Sequence, residues 1–498
     1  MDTVICPIDV KCGDQVSALL RPPSSQQVQD YFDELLSTRQ CHGLKVGHNG
    51  VHGKGVYAGM DFEEGEIVLR DQMLVGVQHL SNKIDCLVCG FCFQFIGSIE
   101  LQIGRKLYLQ SLGVSSTSDE CMKGMMAHNS KACYGTSLSS NADADPYKAN
   151  GGDFGACSSG SSSDTVGLPK ELLESLMNGR LTLPHSDKFP LPEAISCPGG
   201  CGEVYYCSML CSEADWASSH SLLCTGKRSE SLSKDALLRF TQHANETNDI
   251  FLLAAKAIAF TILRYKKLKA ACPKETHNGS VAWGLLLEAW KPIHMGYKKT
   301  WWDCISLPDD VSDETAFRME VKELAFTSLQ LLKEAIYDKE YEPLFSLEIY
   351  GNIIGMFELN NLDLVVASPV EDYFLYIDDL PNPEKNQAER ITQPLLDALG
   401  DEYSACCQGT GFYPIQSCMN HSCCPNSRAF KRDEDRDGQA TILAARAISK
   451  GEEITISYIE EELPLAERWA SLADYGFTCR CSRCLEEGEE EEGGGETP

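Results

Sequence analysis

The stretch Met419–Ser427 reads MNHSCCPNS and sets two adjacent cysteines, Cys423 and Cys424, between Asn420-His421-Ser422 and Pro425-Asn426. Four chemistries are open to such a pair: a strained vicinal disulfide, two small buried hydrophobes, a nucleophile beside His421, or one half of a metal site. The rest of the chain narrows the choice. The opening residues MDTVICPIDVKCGDQVSALL lack a basic region followed by an apolar one, so no signal peptide is expected. No run of about 18 apolar residues occurs, so no membrane span is expected. A cytosolic or nuclear chain keeps its thiols reduced. Twenty-four cysteines among 498 residues then point to metal ligands more than to disulfides.

The apolar content of 43% is that of an ordinary globular chain, and the length allows two to four domains. A formal net charge of −30 argues against gripping a phosphate backbone, which needs clustered Lys and Arg; no specific DNA binding is expected. Such a surface suits a basic partner such as a Lys-rich tail, or serves solubility alone. The end of the chain, residues 485–498, holds the run EEGEEEEGGGETP and reads as a disordered acidic tail.

Along the chain the patterning changes four times. A short helix is predicted over QQVQDYFDELLSTRQ. From Gly43 the text turns to β structure: GVHGKGVYAG is a glycine-punctuated turn, and GEIVLRDQMLVGVQ carries β-branched runs. A cysteine zone follows from Cys86 to Cys224, broken by a Ser/Gly/Asp-rich, flexible insert over about 111–167. The next hundred residues read as helical. SDETAFRMEVKELAFTSLQLLKEAIYD has Ser312 as N-cap, with Phe317, Val321, Leu324 and Leu331 on one face. After Ile349 strands and turns return. ATILAARAISKGEEITISY is strand, turn and strand with Gly451 at the turn, and a helix with Leu465, Trp469 and Leu472 follows.

The cysteines fall into two systems. The first is Cys197-x3-Cys201, Cys207-x3-Cys211 and His220-x3-Cys224, joined by Cys86-x2-Cys89 or Cys89-x2-Cys92 upstream. Ligands paired on one turn bind tetrahedral zinc with little extra ordering, and eight ligands suit two closed structural sites. The insert does not forbid this. Lengthening a loop tenfold costs about 2 kcal/mol, against on the order of 10 kcal/mol from a structural zinc. It does admit Cys121, Cys133 or Cys157 as rival ligands. The second system, Cys479-x-Cys481-x2-Cys484, lacks a fourth ligand, which Cys423 or Cys424 can supply. That is the metal-side reading of the pair. A nucleophilic Cys423 is the weaker one, because a zinc-bound thiolate is not free to attack and no third residue orients His421.

GKGVYA, NHSCCPN, GEEITISY and YGFTCRCSRC occur in the order seen in SET-domain protein lysine methyltransferases, and CPGGCGEVYYCSMLCSEADWASSHSLLC resembles a MYND zinc module. A MYND module inside a split SET domain is similar to the SMYD family and to trithorax-related plant proteins. The resemblance implies an α+β fold: an N-terminal segment (1–42), a first SET part (43–85), the MYND-type module with its insert (86–224), a helical insert (225–345), a second SET part (346–460) and a post-SET segment (461–484). It implies S-adenosylmethionine as cofactor, bound by His52, Gly53, Lys54 and Gly55 on a glycine turn. Asn420, His421, Tyr458, Tyr475 and Phe477 are the other implied cofactor contacts, with Tyr458 the catalytic tyrosine. Asn360 is a weaker match to a further contact, and Phe412 and Tyr413 to the lysine channel. It implies zinc on Cys423, Cys479, Cys481 and Cys484, leaving Cys424 at a variable position, and about three structural zinc ions in all. The implied substrate is a histone (H3-type) or other Lys-rich protein, reached in the nucleus, with cytoplasmic residence also compatible. Proline-rich peptides are implied partners of the MYND face.

The chain departs from the pattern in three ways. Its finger uses Cys-x3-Cys, Trp216 stands one residue further from His220 than usual, and the text ends after the post-SET cysteines without a C-terminal helical domain. The competing class is a catalytically weak SET–MYND scaffold that binds partner proteins in a transcription complex. A zinc hydrolase is disfavoured, since no ligand set leaves an open position.

Overall fold

The computed structural model describes residues 5–49, 53–113, 168–273, 279–296, 298–308, 311–432 and 434–493. His52, the insert beyond residue 113 with Cys121, Cys133 and Cys157, and the last five residues lie outside the described residues. Twelve strands are described. The first six are β1 (Leu44–Asn49), β2 (Gly53–Ala58), β3 (Ile67–Asp71), β4 (Val75–Gln78), β5 (Ile195–Ser196) and β6 (Tyr205–Tyr206). The others are β7 (Asn361–Val366), β8 (Cys407–Phe412), β9 (Asn420–His421), β10 (Ser427–Ala429), β11 (Ala440–Ala444) and β12 (Glu453–Ile456). The four sheets have the orders β1-β2-β12-β9, β10-β11-β3, β4-β8-β7 and β5-β6.

The first sheet positions the site. Leu44 and Val46 point inward from β1 while Lys45 and His48 stay exposed, the alternation a half-buried strand requires. β1 and β2 are antiparallel with Leu44 opposite Ala58. β12 joins the far side of β2, and the short β9 runs parallel to β12 with Thr455 opposite Asn420. Segments more than 300 residues apart in sequence therefore share one sheet. The helix Ser25–Thr38 closes its face, burying Val28, Phe32 and Leu36 at i, i+4 and i+8 against Val46, Val56, Met419 and Ile454. Ser24 and Gln27 form a capping box at its start.

The largest core is helical. The helix Ile250–Ala271 is buried nearly all round, against the helices Glu314–Ile336 and Leu347–Asn360. Asp313, not Ser312, caps Glu314–Ile336, accepting from the Ala316 amide at 3.0 Å. Its fully buried line is Val321, Ala325, Leu329 and Leu332, with Phe317, Leu324 and Leu331 on the flank.

Helical structure also runs past Ile349, where strands are expected from sequence: Leu347–Asn360, Pro369–Asp378 and Glu384–Leu399 are helices. The first is a near-continuous apolar run, which periodicity alone cannot assign to strand or helix. Gly351 and Gly355 settle it, because their bare faces admit the Trp302 ring and the Lys299 carbonyl, and a Cβ at either would collide. The acidic end also begins ordered. A helix covers Ser482–Gly493, overlapping the segment that composition reads as disordered. Its anchor is Glu487, which accepts from Arg468 at 2.6 Å and from Arg483 at 2.7 Å. Among the described residues no helix is long and apolar enough to cross a membrane.

Candidate active site and zinc centres

Twelve ligand side chains converge in three groups: Cys89, Cys92, Cys207 and Cys211; Cys197, Cys201, His220 and Cys224; and Cys423, Cys479, Cys481 and Cys484. Zinc held by thiolates at about 2.3 Å sets sulfurs about 3.8 Å apart at the corners of a tetrahedron. The observed sulfur separations fit: 3.5 Å for Cys92–Cys207 and Cys207–Cys211, 3.7 Å for Cys197–Cys224 and 3.5 Å for Cys423–Cys484. They are far too long for disulfides. Backbone amides of Gly199 and Gly226 point at Cys197 and Cys224 sulfurs at 3.2 and 3.3 Å, the second-sphere support thiolates need.

Between the two candidate upstream pairs, the fold gathers Cys89 and Cys92. Cys86, a candidate ligand from sequence, is excluded: its thiol is buried against the Ala405 carbonyl at 3.4 Å, and burial pushes its pKa up to about 12. The odd spacing of Trp216 and His220 also has its cause. Residues Trp216–His220 form a π turn, which absorbs one extra residue while His220 still faces Cys197 and Cys201. In the opening pair Cys423 is buried within the third group and Cys424 is exposed, and neither forms a disulfide.

The third group abuts a cluster of aromatic and polar side chains. Asn420 donates its amide to the Lys54 carbonyl at 3.0 Å and to Glu453 Oε1 at 2.7 Å. This stitches β9 to Gly53-Lys54-Gly55, which the sequence reads as a turn and the structure forms as the start of β2. Gly53 has φ +77°, a conformation that favours glycine. A Cβ on Gly55 would stand 2.7 Å from Glu453 Oε1, so a side chain there would displace the carboxylate that Asn420 holds. His421 accepts the Tyr458 amide on Nδ1 at 3.0 Å, and burial, followed by the nearby Arg468 charge, lowers its pKa to about 4. It is therefore neutral at pH 7.

The Tyr458 hydroxyl donates to the Met419 carbonyl at 2.5 Å. Its ring lies 5.4 Å from His421, 5.2 Å from Tyr475 and 6.4 Å from Phe477. Burial raises the Tyr458 pKa, which keeps the phenol protonated. Phe477 is 38% exposed and forms the open edge of the cluster. Electron-rich ring faces with no charged imidazole among them suit a sulfonium cation.

Several candidates lie apart. Phe412 is buried against Phe357 in the helical core, and Tyr413 is buried with its hydroxyl on the Gly438 carbonyl at 2.6 Å. Asn360 bonds back to the Met356 carbonyl at 2.7 Å. Two participants were missed. Glu453 anchors Asn420, and its signal was a carboxylate opening an otherwise apolar strand. Arg468 is wholly buried, donating to the Leu463 carbonyl at 2.7 Å and lying 3.7 Å from Cys484 sulfur. Its signal was a cation at i+3 from Leu465, on the apolar face.

Fold and cysteine clusters together are those of an S-adenosylmethionine-dependent protein methyltransferase with structural zinc. The comparisons agree. The SET domain matches residues 303–459 and the MYND finger residues 191–224. The chain is 63% identical over 475 residues to "Histone-lysine N-methyltransferase ATXR2" of Arabidopsis thaliana, covering 95% of this chain and 96% of that protein. It is 26% identical over 340 residues to "Protein-lysine N-trimethyltransferase SMYD5" of Gallus gallus, covering 64% and 74%. It is 42% identical over 78 residues to "Histone-lysine N-methyltransferase ASHR1" of Arabidopsis thaliana, covering 16% and 15%. The chain belongs to the SET–MYND family of S-adenosylmethionine-dependent protein lysine methyltransferases.

Proposed function

We propose that this enzyme methylates a histone lysine, of the H3 type, in the nucleus, and that Tyr458 is its catalytic residue. The division into two SET parts (43–85 and 346–460), MYND module, helical insert and post-SET segment is part of the same reading. When bound, the cofactor supplies an electrophilic methyl group on a sulfonium. The residues of this chain do the rest. Gly53, Lys54, Gly55, Asn420 and His421 hold it, with His52, the residue before them in the sequence. Tyr475 and Phe477 wall a narrow aromatic channel that excludes water from the incoming amine.

Lysine must arrive neutral. With a free pKa of about 10.4, deprotonation near pH 7.4 costs roughly 4 kcal/mol. A desolvated channel beside a cationic sulfonium lowers that cost. Tyr458 stays a phenol and aligns the amine for attack along the methyl–sulfur axis. The zincs are structural, since each ligand group is complete with four protein side chains. The exposed acidity of the chain favours a basic tail as substrate, and the MYND face suits proline-rich partner peptides.

The single observation that carries this reading is the contact of Tyr458 with both the Met419 carbonyl and the Tyr475, Phe477 and His421 rings. Core histones incubated with labelled cofactor are expected to acquire label. Tyr458→Phe is expected to cut turnover about 100-fold or more while cofactor affinity stays within about twofold. Full activity in that variant overturns the role of Tyr458. Cofactor binding without transfer to any histone favours the scaffold class.

A further inference from the structure

The helix Leu465–Ala473 packs beside the third zinc group with Leu465, Arg468 and Leu472, an i, i+3, i+7 face whose middle member is a cation. Arg468 is wholly buried, and a guanidinium taken out of water is costly unless its charge is answered. Its Nη1 donates to the Leu463 carbonyl at 2.7 Å and its Nη2 to Glu487 Oε2 at 2.6 Å. Glu487 does not answer it alone, because the same carboxylate accepts from Arg483 at 2.7 Å. Among the described residues no other carboxylate lies within 4.0 Å of either arginine. Two positive charges share one negative charge, and one positive charge is left over.

The matching negative charge lies on sulfur. Arg468 Nη2 stands 3.7 Å from Cys484 Sγ, within reach of a hydrogen bond to sulfur, and the guanidinium also meets Cys423. Four thiolates outweigh the charge of a zinc ion, so the loaded site is a dianion. We propose that Arg468 is a positioning residue for this zinc clamp: its guanidinium neutralises part of the four-thiolate site, and the acidic helix Ser482–Gly493, through Glu487, sets how much of that charge is available. Without it the excess charge on sulfur goes unanswered in a desolvated site, and the ion is held less firmly. The effect reaches the strand β9 through the metal, because Cys423 follows His421 by two residues and its sulfur meets His421 Nε2 at 3.2 Å. The competing role is mechanical: Arg468 merely ties the Leu463 carbonyl and the helix Ser482–Gly493 to the helix Leu465–Ala473.

Extraction of zinc from the full-length protein by a chelator, followed with a colorimetric metal indicator, separates the two. The phase missing from Cys484→Ser marks the ion of the third group, and the finger ions serve as an internal reference. Arg468→Gln and Arg468→Lys both keep an N–H donor and differ in charge. Arg468→Gln is expected to release the third group's ion about tenfold or more faster than wild type, and Arg468→Lys to stay within about threefold of wild type, with the finger phases unchanged in both. Equal acceleration in the two variants overturns the charge role in favour of the mechanical tie. So does extraction at the wild-type rate in both with only the melting temperature lowered. Glu487→Gln leaves the buried arginine in place and asks no core residue to change. It is expected to release the third group's ion no faster than wild type, because the guanidinium then answers the thiolates alone; faster release there overturns the proposal.

Discussion

The finger clusters and the tail cluster are all four-ligand sets rich in thiolates, with His220 in one finger set alone, yet they do different work. In the finger, eight ligands close two sites within one small unit, and the nearby hairpin pairs only Ile195–Ser196 with Tyr205–Tyr206. In the tail, Cys479, Cys481 and Cys484 reach back to Cys423, 61 positions from Cys484 and two residues after His421. The first arrangement stabilises a module whose own core is small, built on Ile96 and Tyr206 among the cysteines. The second ties the aromatic residues Tyr475 and Phe477 to the strand bearing Asn420 and His421. Coordination thus closes a separate module in one region and joins the sheet to its aromatic wall in the other, although one finger site spans 115 positions, Cys92 to Cys207.

The sharpest way to break this contrast is to remove one ligand from each. Cys484→Ser is expected to abolish measurable transfer and to weaken cofactor binding by about 100-fold, because Cys423 and the aromatic wall lose their shared anchor. Calorimetry and a methylation assay read both effects, and retained binding would show that the tail closes without its metal. Gly355→Ala comes next. Its methyl group meets the Lys299 carbonyl, so a loss of roughly 1–3 kcal/mol is expected in denaturant unfolding. An unchanged midpoint would mean that the helical body yields easily.

Cys211→Ser should release one zinc equivalent from the finger and leave cofactor affinity within about threefold of wild type. A larger loss would couple the finger to the pocket. One seam could carry such coupling: the Gly438 amide donates to the Cys92 carbonyl at 2.7 Å, and the Gly438 carbonyl accepts from Tyr413. Asp435 stabilises that loop. Burial would raise its pKa, but Arg432, at 3.0 and 3.1 Å, and Arg70, at 2.9 Å, hold it at about 2. Because its folded pKa lies below the unfolded value of about 3.9, its contribution is complete above pH 4 and fades as pH falls through 2. Asp435→Asn should therefore cost roughly 1 kcal/mol at pH 7, with the gap to wild type closing below pH 4. A pH-independent gap would assign the loss to packing instead.

What could be read before folding follows from locality. Cys-x3-Cys and Cys-x-Cys-x2-Cys place ligands on single turns, so the residues that bind zinc were visible as spacing. The helix over QQVQDYFDELLSTRQ and the β structure from Gly43 were visible for the same reason. Leu347–Asn360 was not, because an apolar run without periodicity fits either state and only Trp302 and Lys299 packing on its glycines decides. Arg468 and Glu453 were passed over because a charged residue reads as surface until its partners are known.

By itself, the amino-acid order determined the ligand pairs, the strand–turn–strand around Gly451 and the Asn-His and tyrosine motifs, since each depends on residues within a few positions. Only the tertiary structure decided that Cys89 and Cys92 rather than Cys86 complete the finger, and that Cys423 rather than Cys424 meets the tail. Those choices turn on which groups share a volume after distant segments pack, and spacing along a chain carries no information about that.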